Sequence, residues 1–204
     1  MEQKIFSKFN IYDQVGYLVV GAIALLLFVF NISYFFQTTT PPFNLDTLLA
    51  WFIVAYFLGH LVQGVANLIN STKVLRFLVP EHEDFDAKQK EVLRQACDYF
   101  KLQKQDDGRL WNLCYMLASA KDITGQVQTF NSYYSLYRGW LVVFASESLF
   151  LLYSLFTSYN WNTLLLFLLS TFLVFIFHLR SKRFWNYTRN KVLETFIIIK
   201  TLNL

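Results

Sequence analysis

The sequence predicts an all-α membrane protein. It has four transmembrane helices, a small cytoplasmic helical domain inserted between spans 2 and 3, and a C-terminal juxtamembrane helix. Three observations carry that reading. The 204 residues are 55% hydrophobic and 19% aromatic, with 22 phenylalanines, a load that a soluble domain would have to display as large apolar patches. Four apolar runs approach the ~20 residues a helix needs to cross ~30 Å of hydrocarbon. All 18 Lys and Arg lie outside the two short turns at 37–45 and 157–162, so the positive-inside rule gives four spans with both termini in the cytoplasm.

The first span is expected over Gln14 to Phe36, around LVVGAIALLLFVF. It is of full spanning length and lacks a small-residue cleavage site, so it reads as a span rather than a signal peptide. Pro41 and Pro42 block helix continuation and turn the chain. The second span, Asp46 to Asn70, is less uniformly apolar. Tyr56, His60, Gln63, Gly64 and Asn67 recur at helical spacing, and lipid offers such a stripe no hydrogen-bond partner. Ala55 and Gly59 make a small-xxx-small pair that permits close helix approach, and the glycine pairs Gly16/Gly21 and Gly59/Gly64 mark further packing positions.

Residues 71–138 are charged and helical in pattern, with a first break expected at Val79-Pro80. Asp86 and Gln89 resemble a capping box; Val92, Leu93, Ala96, Cys97 and Phe100 then share a face, with a stop expected at Gly108. Leu110, Leu113, Cys114 and Leu117 set up a second amphipathic helix. Asp122 to Gly125 reads as a turn, and the helix from Val127 is expected to run straight into the third span, Trp140 to Phe156. The fourth span is expected over Leu164 to Leu179. The organisation is therefore 1–70 (N-terminal segment and spans 1 and 2), 71–138 (cytoplasmic domain), 139–179 (spans 3 and 4) and 180–204 (cytoplasmic C-terminal helix). Cys97 and Cys114 make neither a disulfide framework nor a metal set.

Glu147 is the acidic residue deep in a span, ~12 Å from the cytoplasmic entry at ~1.5 Å per residue. His60 lies at a similar depth on the second span, so the two are expected to meet. A carboxyl there must be neutral, paired or facing water. It is either a packing hydrogen bond or part of a polar ring with His60, Gln63 and Asn67 lining a pore or gate between subunits. The basic residues Arg180, Lys182, Arg183, Arg189 and Lys191 follow the last span. They suit anionic lipid headgroups and, were several copies to assemble, a basic ring for phosphate chains. The segment 71–138 is nearly neutral, with ten Lys or Arg against nine Asp or Glu.

No phosphate loop, HExxH, paired-cysteine motif or nucleophile elbow is present, so no catalytic activity, cofactor or metal is expected. The spacing of Arg76 and His82 matches the loose Arg-x(4–6)-His pattern of HEPN-type ribonucleases, but Phe77 and Pro80 depart from it. The run from Phe9 through Tyr12, Asp13, Gly16 and Tyr17 to Gly21, with Tyr56, Gly59 and His60, resembles small multi-span membrane proteins that accompany bacterial antiphage defence, as membrane effectors or CRISPR accessories. Phe130, Tyr134 and Arg138 extend the likeness. It implies an oligomeric inner-membrane effector that depolarises the membrane when triggered by a nucleotide, nucleic acid or partner protein. Rival expectations are a non-conducting scaffold recruiting a soluble protein through 71–138, and a tethered ribonuclease using Arg76 and His82.

Overall fold

A computed structural model describes residues 11–36, 48–71, 84–103, 106–122 and 124–202. Within them the chain forms six helices and no strand: α1 (Ile11–Phe36), α2 (Leu48–Ser71), α3 (Ala87–Tyr99), α4 (Asp107–Lys121), α5 (Gln126–Thr157) and α6 (Trp161–Leu202). The proline turn at 41–42, the Val79-Pro80 break and the Arg76/His82 pair lie outside the described residues. Four helices, α1, α2, α5 and α6, are long and apolar enough to cross a membrane, which makes this a multi-pass membrane protein. Their outward faces are leucine and phenylalanine: Leu26, Phe57, Leu149, Leu165 and Phe172 all stand exposed.

Small residues set how α1, α2 and α5 meet. Gly21 lies against the backbone of Ala55 and Gly59, and Gly59 lies against the backbone of Tyr17. Gly139 on α5 faces the side chains of Gln63 and Val20, which brings the third helix to the same level. Without Cβ atoms the backbones approach closely and gain dispersion contact that lipid cannot supply. Of each glycine pair singled out by spacing, one member is at the crossing; Gly16 and Gly64 have open space beside them. The small-xxx-small pair Ala55/Gly59 is at the contact.

The two long helices depart from the expected organisation. α5 runs unbroken for 32 residues, as Val127 onward suggested. α6 runs for 42 residues, so the expected juxtamembrane helix is the fourth span continued. Hydropathy falls at Arg180-Ser-Lys-Arg, but neither Pro nor Gly interrupts the backbone there, and nothing ends the helix. At ~1.5 Å per residue α6 is about 63 Å long, roughly twice the hydrocarbon thickness. Tyr137, Trp140, Phe144, Phe177 and Phe184 pack α5 on α6 in one aromatic seam.

Beyond the membrane the same two helices build a head with α3 and α4. Its core joins Val92, Leu93 and Ala96 of α3 to Leu110, Cys114 and Ala118 of α4, Val127 of α5, and Val192, Leu193 and Phe196 of α6. The inserted helices therefore share one core with the C-terminal part of the chain. The capping box is present: Gln89 N donates to Asp86 Oδ1 at 2.7 Å, and Asp86 N to Gln89 Oε1 at 3.2 Å. Helix α3 ends at Tyr99, well before the anticipated Gly108. It closes in a Schellman turn, with Leu102 N bonded to Cys97 O, Lys101 N to Asp98 O, and Lys101 left-handed at φ 54°. Lysine fills the position glycine usually takes, so the residue types there carry no stop signal; Gly108 lies within α4.

Candidate functional site

Glu147 is 9% exposed on α5, ten residues before the helix ends at Thr157 and so ~15 Å from that end. That is near the middle of a ~30 Å membrane. Asn31 of α1 meets it: Asn31 Nδ2 donates to Glu147 Oε2 at 2.7 Å. A carboxylate oxygen only accepts, so the amide nitrogen must face it. That leaves Asn31 Oδ1 buried with no hydrogen-bond partner. Nothing in the second-span pattern pointed to Asn31; its signal was a lone amide in the LLLFVFNIS run of the first span.

The pair forms the polar part of a groove of about 620 Å³ between α1, α2 and α5. Its walls are apolar, including Ala24, Phe28, Leu61, Val65, Val142 and Phe150, with Asn31, Ser146 and Glu147 as its polar residues. Phe28, Leu61, Val65 and Phe150 are each 39–50% exposed, so the groove opens sideways toward the lipid. Ser148, next in sequence, faces the other way: its hydroxyl donates to Phe144 O and to Ser170 Oγ, both at 2.9 Å, and ties α5 to α6.

The other expected lining residues are placed differently. His60 packs on Tyr17 at 4.4 Å and Tyr56 at 4.6 Å between ring centroids. Tyr17 and Asn31 are 14 residues apart on α1, ~21 Å along its axis, so His60 and Glu147 are not neighbours. Gln63 is buried and donates to Ser135 O of α5 at 2.8 Å, closing the crossing from within. Asn67 is exposed, and its Oδ1 accepts from Arg138 Nη2 at 2.6 Å. Arg138 in turn lies over the Tyr134 ring, 5.2 Å from its centroid. At 100° per residue, His60 and Asn67 fall on one flank of α2 and the groove residues Leu61 and Val65 on the other. The structure thus brings Asn67 to α5 and Glu147 to α1, and joins neither to His60.

The basic set divides as well. Arg180, Lys182 and Arg183 are exposed just past the apolar part of α6, and Arg183 Nε donates to Tyr187 Oη at 2.7 Å. Arg189 is 3% exposed and belongs to the core. Its Nη2 donates to Asp84 O and Gln89 Oε1, and its guanidinium lies 4.4 Å from the Phe85 ring centroid. It pins the chain entering α3 to α6, an outcome that residue type alone does not distinguish from a surface cation. Lys191 is half-buried near Asp122. Partial burial works against the Asp122 carboxylate, yet hydrogen bonds from Thr124 and from Val127 N hold it below the usual carboxylate value. Burial pushes the Cys114 thiol up to about 12, which makes it an inert core residue.

No group of three or more His, Cys, Asp or Glu capable of holding a metal occurs among the described residues. The fold and the intramembrane carboxyl place the chain among all-helical, multi-pass membrane proteins. Comparison with known protein families, with curated proteins and with solved structures finds none that matches.

Proposed function

We propose that the protein is the subunit of a homo-oligomeric ion channel or pore of the bacterial inner membrane, with both termini in the cytoplasm. The observation that carries this reading is the Glu147–Asn31 pair, an ionisable group near the membrane's middle on an open groove. A carboxyl at that depth is costly unless it serves transport or packing, and a packing role alone would not need the adjoining 620 Å³. Four spans are too few to enclose a water path, whereas symmetric copies would suffice. Asn67 and Arg138 sit at the mouth nearer the head, with His60 beside them on the exposed flank of α2. Gln63, taken up inside the protomer, serves packing.

The head would receive the trigger, a nucleotide, nucleic acid or partner protein, with Arg180, Lys182 and Arg183 as its exposed cations. The likeness of the first two spans to defence-associated membrane proteins supports depolarisation during phage infection as the setting. Liposome flux with the full chain tests the proposal. Glu147→Gln is expected to cut or reselect the conductance, and His60→Ala to leave it nearly unchanged. Absence of flux under every condition, or identical flux with Glu147→Gln, would overturn it. A non-conducting scaffold is the second reading. It is favoured by exposed Tyr99, Ile198 and Leu202 on α3 and α6 of the head, and it predicts a soluble partner that co-purifies without flux.

A further inference from the structure

We infer that the groove between α1, α2 and α5 is a binding site for a membrane-dissolved amphiphile whose head group donates hydrogen bonds, a long-chain alcohol or amine. The inference rests on the same carboxyl as the proposed conduction, so its test reads binding and not flux. Its volume, about 620 Å³, falls within the ~300–1,000 Å³ of small-molecule sites. The walls are hydrocarbon and the opening faces lipid, so a ligand would enter from the bilayer and bring an apolar body. The polar end sets the head group. Asn31 has committed its amide nitrogen to Glu147 Oε2, and its Oδ1 is a buried acceptor with nothing to accept from. Glu147, 9% exposed, adds a second accepting group, and Ser146 stands beside it in the groove. A ligand that satisfies this end must donate, because an unmet buried acceptor costs more than an ordinary hydrogen bond returns.

Other occupants fit less well. A phospholipid holds its polar head at the membrane surface, ~15 Å from the Glu147 level, and its tails have no donor. The outward faces of the chain's own spans, Leu26 and Phe30 on α1, Phe52 and Ile53 on α2, Leu168 and Phe172 on α6, would fill the space in a second copy. They would leave Asn31 Oδ1 unmet.

The full chain in lipid nanodiscs is labelled with a diazirine-bearing long-chain alcohol, and the labelled peptides are mapped by mass spectrometry. Label is expected on α1 near Asn31, on α2 near Leu61 and on α5 near Glu147. Dodecanol and dodecylamine should compete about tenfold better than methyl laurate, which accepts but cannot donate. Ala24→Phe, which occupies groove volume without touching the polar pair, should abolish the label. Glu147→Gln should weaken dodecylamine more than dodecanol, since the amide keeps an acceptor but loses the charge. Equal competition by methyl laurate overturns the inference. So does label spread evenly over exposed lipid-facing residues, or no label in the groove, the result a second copy seated there would give. The competition series needs only the unaltered protein, so a variant that fails to fold does not spare the proposal.

Discussion

Replacing Gly59 by alanine should pull α1 and α2 apart, whereas the same change at Gly64 should not. A Cβ on Gly59 would lie 2.6 Å from the carbonyl carbon of Tyr17, with the oxygen nearer still. Carbon atoms rest at ~3.5–4.0 Å, so the two backbones would have to separate by about 1 Å. No rotamer can absorb this, because the obstacle is main chain. Overpacking of that kind costs ~1–3 kcal/mol, and the backbone case belongs at the upper end. Against it stands the ~1 kcal/mol by which alanine outranks glycine inside a helix, leaving a net loss of about 2 kcal/mol. Gly21→Ala should behave alike, since its Cβ would come 2.7 Å from the Ala55 carbonyl carbon. Gly16 and Gly64 have nothing within 4 Å, so their alanine variants should gain up to ~1 kcal/mol from propensity alone. Unfolding of the purified protein by SDS titration, followed by circular dichroism, reads all four. The opposite signs are the test: if Gly59→Ala and Gly64→Ala shift the midpoint in the same direction and by similar amounts, the close crossing is absent.

Arg189→Ala should destabilise the head by about 2–4 kcal/mol, because it removes two charged hydrogen bonds and a ring contact from a buried site; limited proteolysis near residues 84–90 should accelerate. By contrast, Arg183→Ala, at an exposed position on the same helix, should stay within ~0.5 kcal/mol in the same assay. Lys101→Gly should stabilise the head by about 1 kcal/mol, since glycine holds the left-handed Schellman position without the Cβ penalty; an unchanged or lower thermal midpoint would count against the turn. Asp122 gives a pH dependence of defined sign. Its folded carboxyl titrates below its ordinary value, so its contribution is complete above pH ~3.9 and is lost as the pH falls through the lower folded value. Asp122→Asn should flatten the acid limb of the stability curve in that range, and an unaltered limb would refute the assignment.

The spans were legible because a membrane crossing is written in length and hydropathy, and both are properties of contiguous sequence. The capping box at Asp86 and Gln89, the turn at Asp122 to Gly125 and the run of α5 into the membrane were legible for the same reason: each depends on neighbours in the chain. What escaped was whatever depends on neighbours in space. Lys101 in place of glycine hid the end of α3. The charged run after Leu179 looked like a boundary, although charge changes the solvent a helix prefers and does not end it. Glu147 was recognisable as a costly group, but axial depth alone does not choose its partner. His60 and Asn31 were equally available on that count. The glycine crossing, which fixes the heights of α1 and α2, places Asn31 at the carboxyl and His60 beside Tyr17.

That α5 and α6 each belong to two cores bears on how a signal at the head would reach the groove. Val127 is sealed in the head core and Glu147 lies 20 residues further along the same unbroken helix, ~30 Å away. Helix α6 returns beside it from Ser170, bonded to Ser148, to Phe196 in the head. A continuous helix packed along a second one resists bending more than it resists turning or sliding as a unit. A change in packing at Val127, Leu193 or Phe196 would therefore be conveyed as a rotation or shift of α5 against α1. The contact most exposed to such a shift is the one between Asn31 and Glu147, since a hydrogen bond of 2.7 Å tolerates only a few tenths of an ångström before it weakens. The glycine crossing near Tyr17 holds α1 to α2, so α1 would not simply follow α5. The carboxyl would be released or engaged by movement in the head, with no flexible linker needed between them.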